Sequence, residues 1–226
     1  MALAQLAVFV RPPAVGSVKT RLAAALGASG AVDLYRAFVE DTIRLCSRVR
    51  AAGRIDVALW SAGPPADQIV SEWARRLGTS ARLQPEGDLG VKLSTAFAEG
   101  LQCHERVVVI GSDAPTLPFD LLVAAFDSLD NAPIVLGPAN DGGYYAVGAT
   151  RRVRPRFDGV RWSTPTALED TITANTPHRV AITPPWYDVD DPTDLAILRV
   201  HLSVNPRAAP ATARFLGGAS LKDRAS

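Results

Sequence analysis

Short, mostly apolar runs alternate with longer amphipathic segments along the whole chain. Seven such runs predict β-strands, at residues 6–10, 55–60, 81–83, 107–110, 134–136, 144–147 and 179–182. In six intervening segments apolar residues recur at helical spacing, which predicts helices at 31–52, 65–77, 91–102, 119–129, 166–175 and 192–201. Continuous apolar runs are typical of strands buried on both faces. The alternation therefore predicts an α/β fold with a mainly parallel, twisted sheet flanked by helices.

The length and the distribution of proline and glycine indicate how the chain is divided. A chain of 226 residues is long enough to bury a core without disulfides or a structural metal. We expect one folded domain over residues 1–202 and a loosely attached C-terminal extension over residues 203–226, where proline and glycine accumulate. Truncation after Ser203 is accordingly expected to cost less than about 1 kcal/mol of unfolding free energy.

Charge and cysteine content narrow the class of partner. The formal net charge is +1, from 24 Lys and Arg against 23 Asp and Glu, so we expect neither nucleic acid nor a membrane as partner. The separated Cys46 and Cys103 argue against a disulfide scaffold and a structural zinc site, and they fit a cytoplasmic protein. We interpret the apolar N-terminus as a strand and expect no signal peptide, and no apolar run approaches the roughly 20 residues that span a bilayer. A homodimer stays open.

Polar residues follow two of the predicted strands, where ligands bind in α/β sheets. Lys19 and Arg21 come after the first strand, beside a helix start, and could together hold a di- or triphosphate. The alternative is an ordinary solvated helix start. Asp113 follows the strand at 107–110 and could place a carboxylate oxygen on Mg²⁺. A helix cap fits Asp113 less well, because the next helix is predicted to begin only near Pro118.

An acidic segment precedes the last predicted helix. Asp191 and Asp194 flank Pro192 in the pattern of a helix N-cap. Asp188 and Asp190 lie before that cap, on the same side of an extended segment, and have no structural need to be acidic. We favour Asp190 over Asp188 as a second metal ligand.

Two glycine-containing turns and one tryptophan complete the candidates. Gly142 and Gly143 would let the backbone approach a ligand closely, although Asp-Gly is equally a turn signal. The segment 87–90 gives a similar but weaker signal. Trp162 could stack on a base or a sugar, and a core position is as good an interpretation.

Six segments, in this order, resemble the bacterial glycosyltransferase-A-like proteins often labelled arsenosugar-biosynthesis glycosyltransferases. They are KTRL (19–22), GDLG (87–90), GSDAP (111–115), GPANDGGYY (137–145), WSTP (162–165) and DVDDPTDL (188–195). The resemblance implies a single nucleotide-diphospho-sugar transferase domain, related also to molybdenum-cofactor nucleotidyltransferases and 2-phospho-lactate guanylyltransferases. Asp191 departs from the threonine usual in the family, which leaves open which of the three aspartates binds the metal.

The resemblance also implies roles for individual residues. Asp113, Asp190 and Asp188 would bind Mg²⁺ or Mn²⁺, and Asp113, Lys19 and Arg21 would act in catalysis. Residues expected to bind nucleotide or substrate are Arg11, Lys19, Thr20, Arg21, Gly87, Asp88, Gly90, Ser112, Asp141, Gly142, Gly143, Tyr144, Trp162 and Ser163.

Two reactions fit these residues, and both need a metal and cations to stabilise phosphate charge. In the first, a sugar moves from a nucleotide-diphospho-sugar to a small acceptor, as the usual family label implies. In the second, a nucleoside triphosphate is joined to a phosphorylated small molecule and pyrophosphate leaves. A single Asp113 in place of an Asp-x-Asp favours the second reaction. We place sugar transfer first, nucleotidyl transfer next and a non-catalytic nucleotide-binding protein last.

Overall fold

The computed structural model describes residues 3–53 and 55–223, with side chains up to residue 218. One seven-stranded sheet is formed by β1 (Ala4–Val10), β2 (Ile55–Ser61), β3 (Ala81–Leu83), β4 (Arg106–Ile110), β5 (Ile134–Pro138), β6 (Tyr144–Thr150) and β7 (Val180–Ile182). The strand order is β3-β2-β1-β4-β6-β5-β7. Only β6 runs antiparallel to its neighbours, β4 and β5, so the prediction of a mainly parallel sheet is confirmed.

Helices cover both faces of the sheet. They are α1 (Ala23–Ala52), α2 (Gln68–Arg76), α3 (Leu89–Cys103), α4 (Phe119–Ser128), α5 (Ala167–Ala174), α6 (Pro192–Val204) and α7 (Pro210–Asp223), and a 3₁₀ turn at Thr20–Leu22 precedes α1. Helices α1, α2 and α4 pack on one face, and α3 and α5 pack on the other. Strand β1 contributes Leu6 and Val8 to the first core and Ala7 to the second, as expected for a central strand.

Helix α1 is longer than predicted because it begins in a stretch of small residues that hides the apolar periodicity. Its early part contains Gly27 at φ 73°, a non-helical position inside the helix. By length and hydropathy alone, Thr20–Ala52 could cross a membrane, with a mean hydropathy of 1.2 and 44% of the most apolar 18-residue window buried. The side chains of Phe38 and Val39 are fully buried in the protein interior, as is typical of the core helix of a folded domain.

The described part of the C-terminal segment packs against the rest of the domain, which differs from the loosely attached tail expected from the sequence. Helix α6 continues to Val204, and α7 packs against α1. The buried Asp41 carboxylate of α1 accepts hydrogen bonds from the backbone N–H groups of Ala211 and Thr212, both at 2.9 Å. It also accepts one from the Thr212 hydroxyl at 2.8 Å. Together these bonds fix the start of α7 on α1.

Candidate functional site

A cleft of about 630 Å³ opens at the carboxyl ends of β1 and β4. Strands β1 and β4 are neighbours in the sheet. On one side of this pair β1 pairs with β2, and on the other side β4 pairs with β6. Loops that leave such a switch point diverge, and the gap between them is where open α/β sheets bind ligands. The first residues of α3 and β6 form the remaining walls of the cleft.

Many of the predicted site residues meet in this cleft. Its lining includes Arg11, Lys19, Gly87, Asp88, Ser112, Asp113, Tyr144, Trp162, Ser163 and Asp190. Asp188 lines a smaller adjoining cavity of about 80 Å³, to which Asp113 and Tyr144 also contribute. The remaining predicted residues, which the structure describes but does not place on the cleft lining, are Thr20, Arg21, Gly90, Asp141, Gly142 and Gly143.

Lys19 lies between the two aspartates that were predicted to bind metal. Its ammonium nitrogen is 2.5 Å from Asp113 Oδ1 and 2.7 Å from Asp190 Oδ1, and its side chain is only 3% exposed. Burial alone would lower the pKa of Lys19. The charges and hydrogen bonds of Asp113 and Asp190 outweigh that effect and raise the pKa above its usual value, so the ammonium stays charged.

Local hydrogen bonds position the two aspartates. The backbone carbonyl of Asp113 accepts a hydrogen bond from Val189 N–H at 2.9 Å, which ties the loop after β4 to the acidic segment. Asp191 caps α6 by accepting from the N–H groups of Thr193 and Asp194, so the predicted helix cap is confirmed. The carboxylate of Asp190 takes no part in the cap and faces Lys19 instead.

Asp188 is a third carboxyl group of this region. Burial raises the pKa of Asp188 to about 7, and repulsion from Asp141, Asp190 and Asp113 adds to the effect. Asp141 itself closes the turn between β5 and β6 by accepting a hydrogen bond from Gly143 N–H at 2.8 Å. The carboxyl groups of Asp188, Asp141, Asp190 and Asp113 therefore lie close enough together to repel one another.

Sequence reasoning missed Tyr35, whose place in the apolar face of α1 resembles that of an ordinary core residue. The Tyr35 hydroxyl accepts a hydrogen bond from Arg11 N–H at 2.9 Å and shares one with Ser112 Oγ at 3.0 Å. Burial, with the charge of Asp113 adding to it, raises the pKa of Tyr35 to about 12, so the hydroxyl keeps its proton. Tyr35 thus joins the residues that follow β1 and β4, next to Asp113 in the chain.

Gln84 and Lys92 are further polar residues of the lining that sequence reasoning missed. The buried Gln84 amide donates to Trp60 O at 3.0 Å and braces the end of β2. Lys92 lies one turn into α3, after Asp88, which caps that helix by accepting from Val91 N–H at 2.9 Å. The available signal for Lys92 was its spacing of four from Asp88, which brings both residues to one face of the helix.

The predicted glycines pack the structure around the cleft more than they line it. A Cβ atom on Gly142, which has φ 85°, would lie 2.2 Å from the backbone oxygen of Pro165. A Cβ atom on Gly90 would lie 3.1 Å from Phe157 Cβ and 3.4 Å from Trp162 Cζ2. These positions favour glycine because neighbouring segments approach closely, and Gly90 helps to seat the Trp162 ring.

Trp162 forms the aromatic wall of the cleft. Its ring centroid lies 6.3 Å from that of Tyr144, in an edge-on arrangement, and 6.2 Å from that of Phe157. The Phe157 ring stacks in turn on Phe97, at a centroid distance of 6.1 Å. Ser163, the next residue, has φ 59° in the left-handed region. The indole therefore has an apolar backing and contributes to the cleft lining, where an aromatic ring could stack on a base or a sugar.

Arg21, predicted to hold phosphate beside Lys19, is exposed on the 3₁₀ turn. Its charge adds to the hydrogen bonds, chiefly from Asp194 N–H, that lower the pKa of Asp191. The cations on the cleft lining are instead Arg11, Lys19 and Lys92 among the described residues. Of the two predicted cations of the first loop, Lys19 lies on the cleft lining and Arg21 does not.

Comparison with solved structures identifies the fold. A crystal structure described as that of a nucleotide-diphospho-sugar transferase from Desulfovibrio desulfuricans G20 superposes with a TM-score of 0.86. The two sequences are 29% identical, and the match covers 98% of this chain and 96% of that one. The predicted fold, that of the nucleotide-diphospho-sugar transferase superfamily, is thereby confirmed.

More distant structures share the architecture. CMP:2-keto-3-deoxy-manno-octonic acid synthetase, in complex with CTP, matches with a TM-score of 0.56 and 10% identity, over 88% of this chain and 98% of that one. A manganese complex of Rv0371c from Mycobacterium tuberculosis H37Rv matches with a TM-score of 0.50 and 17% identity, over 87% and 97% of the two chains. At this level of identity the likeness concerns the fold.

Comparison at the sequence level gives one match. The profile of the family described as "Uncharacterized protein conserved in bacteria (DUF2064)" matches residues 43–164 of the 226 in the chain. The comparison with curated proteins gives no match. The matched region contains Asp113 and Trp162, while Lys19 and Asp190 lie on either side of it.

Proposed function

The chain belongs to the DUF2064 family of bacterial proteins, and we propose that it is a divalent-metal-dependent transferase with a nucleotide-activated donor. The observation that carries the proposal is the meeting of Asp113 and Asp190 around a cation, beside a cleft lined by Arg11 and Lys92. The negative charge of a diphosphate must be balanced by cations. This cleft provides protein cations next to carboxylates that can hold a metal ion.

The carboxylates fit Mg²⁺ or Mn²⁺. Asp113 and Asp190 present hard oxygen donors, and the Lys19 ammonium between them is a stand-in for a bound cation. Within the described residues no three acidic, histidine or cysteine side chains are close enough to form a full cage. Mg²⁺ usually takes one or two carboxylates and completes its shell with water and phosphate oxygens. When bound, the ion would neutralise charge that develops on the departing phosphates.

Other cleft residues would bind and orient the donor. Arg11 and Lys92 would hold phosphate oxygens, and Trp162 with Tyr144 would supply an apolar wall for the base or the sugar. Tyr35 would act indirectly, because its hydroxyl fixes Ser112 beside Asp113. These tasks are electrostatic and geometric, which is what transfer from a nucleotide-activated donor requires of a protein.

Sugar transfer to a small acceptor is the reaction we place first. It is supported by the similarity, over nearly the whole chain, to a protein described as a nucleotide-diphospho-sugar transferase. Nucleotidyl transfer with release of pyrophosphate is the second candidate. It is favoured by the single Asp113 in place of an Asp-x-Asp and by a fold shared with a synthetase bound to CTP.

Calorimetric titration with nucleoside triphosphates and nucleotide-diphospho-sugars, with and without Mg²⁺, tests the proposal. We expect Mg²⁺-dependent binding that weakens by roughly 10- to 150-fold in Asp113→Asn, since one charge-assisted contact contributes about 1.5–3 kcal/mol. Asp127→Asn, an exposed aspartate of α4, is the matched control and should bind as the wild type does. Absence of binding by every donor would refute the proposal.

Product analysis then separates the two reactions. Release of a nucleoside diphosphate with transfer of the sugar supports the first candidate, whereas release of pyrophosphate replaces it with the second. Tight binding without turnover, for every donor and acceptor offered, would leave a nucleotide-binding protein without catalysis. The three outcomes differ in the phosphorus species released, so ³¹P NMR distinguishes them in one experiment.

A further inference from the structure

The Lys19 ammonium fills the space between the carboxylates of Asp113 and Asp190. It contacts one oxygen of Asp113 and one of Asp190, and both carboxylates are about half exposed while the Lys19 side chain is 3% exposed. Mg²⁺ binds carboxylate oxygens at about 2.0–2.1 Å and tolerates little departure from octahedral geometry. An ion bound to the same two oxygens would fall in the space that the ammonium fills.

The backbone at Lys19 is shaped to keep the ammonium there. Lys19 has φ 47° and ψ 39°, in the left-handed region that residues other than glycine rarely adopt. Among the described residues only Ser163, also on the cleft lining, shares a positive φ without being glycine. A strained conformation persists only where the surrounding contacts favour it, and here the two carboxylates supply those contacts.

Charge decides which cation the carboxylates prefer. With Lys19 between them, Asp113 and Asp190 keep a net charge of −1, whereas a divalent ion would neutralise the pair. Two cations cannot share the position, because their repulsion in a partly buried site is large. An ammonium displaced from the carboxylates would still need a counter-ion, and the phosphates of a donor bound next to the metal would provide one.

We propose that the Lys19 ammonium and a divalent metal ion are alternative occupants of one position between Asp113 and Asp190, so that metal binding releases Lys19 to the donor phosphates. The inference rests on the proposed function, since the metal and the donor are those named there. It makes Lys19 a cation that moves between two partners and thereby couples metal binding to phosphate binding.

Mn²⁺ alone, followed by electron paramagnetic resonance, tests the exchange without turnover. Lys19→Met should bind Mn²⁺ about tenfold or more tightly than the wild type, because it leaves two carboxylates without a competing cation. Lys92→Met removes one positive charge from the same cleft but none from Asp113 or Asp190, and should change the affinity much less. Equal or weaker Mn²⁺ binding by Lys19→Met would overturn the proposal.

A second measurement uses the unmodified protein and does not depend on the variant folding. The chain has three lysines, Lys19, Lys92 and Lys222, so an NMR spectrum of ¹⁵N-labelled lysine ammonium groups has few signals. The held Lys19 ammonium should give a signal protected from water exchange, and Mg²⁺ should shift or abolish it. A Lys19 signal that persists unchanged while Mg²⁺ saturates the site would overturn the proposal.

The two hypotheses fail in different ways. If nucleotide donors are turned over but Lys19→Met leaves Mn²⁺ affinity unchanged, only the exchange is refuted. If Lys19→Met strengthens Mn²⁺ binding but no donor binds, the competition between Lys19 and the metal stands, while the release of Lys19 to donor phosphates falls with the proposed function. If neither protein binds Mn²⁺ at all, the exchange and the metal dependence are both refuted.

Discussion

Neighbouring residues of the acidic segment have different tasks. Asp191 caps α6, whereas Asp190 contacts Lys19, which lies 171 positions earlier in the sequence. The cap was predictable because Asp-Pro-x-Asp is a local pattern whose partners lie within one helical turn. The contact with Lys19 was not, because no local pattern indicates which distant cation a free carboxylate will meet.

Asp170 shows how a residue outside the cleft fixes one inside it. Its carboxylate accepts hydrogen bonds from the Arg161 guanidinium at 2.7 and 2.9 Å and from Arg161 N–H at 3.0 Å, which lowers the pKa of Asp170 to about 2. Arg161 directly precedes Trp162, so the pair anchors the aromatic wall.

Arg161→Ala should raise the pKa of Asp170 towards its ordinary value of 3.8, although the bond from the backbone N–H remains. Because the folded pKa is below the unfolded one, the pair stabilises the fold above pH ~4 and ceases to do so as the pH falls towards 2. NMR titration of the Asp170 carboxyl group measures the shift. Arg156→Ala, which breaks an exposed pair with Asp158, is the control and should leave the Asp170 titration unchanged.

At the scale of elements, α7 is the part that sequence reasoning did not predict. Its sequence is rich in small residues and contains Gly217 and Gly218, so neither periodicity nor helix propensity marks it. The helix is specified by tertiary contacts instead: Ala209 and Thr212 are fully buried against α1. The other helices carry an apolar face of their own, and sequence reasoning found all of them to within a few residues, apart from the hidden start of α1.

Asp41→Ala should therefore lower the free energy of unfolding by about 3 kcal/mol, because the part-buried N–H of Ala211 and the buried N–H of Thr212 lose their acceptor. Urea unfolding measures the change. Asp33→Ala, on the exposed side of the same helix, breaks only a surface pair with Arg36 and should cost less than about 1 kcal/mol. Equal effects of the two substitutions would contradict the docking of α7.

Truncation after Ser203, which removes α7, should likewise lower the free energy of unfolding by more than the value of about 1 kcal/mol expected from the sequence.

In the molecule as a whole, the strand order places the cleft at the carboxyl end of a central, buried strand. Strand β1 pairs with β2 and β4 along its length and is almost entirely buried, and its carboxyl end forms the floor of the cleft. Sequence analysis identified all seven strands but not their order in the sheet. An apolar run indicates that a strand is buried, but it does not indicate which strands pair with it. The reversed direction of β6 follows from the tight Asp-Gly turn after β5, which the sequence did indicate.

This order predicts a gradient of protection in native-state hydrogen exchange. Amides of β1 and β4 should exchange only on global unfolding, whereas those of the short edge strands β3 and β7 should exchange through local opening at lower free energy. Mass spectrometry of peptides that cover each strand measures the difference. Uniform protection across the sheet would show instead that the edges open only with the core.

The position of the tryptophans gives the molecule a built-in optical signal. Of its four indoles, Trp60 and Trp73 are 1% exposed in the core, and Trp186 lies against Tyr187 outside the cleft lining. Trp162 is the indole on that lining, with its ring plane set by Phe157 and Tyr144. A base or sugar placed on that ring would alter the emission of one chromophore against a steady background, so the natural protein can report occupancy of its own cleft by fluorescence.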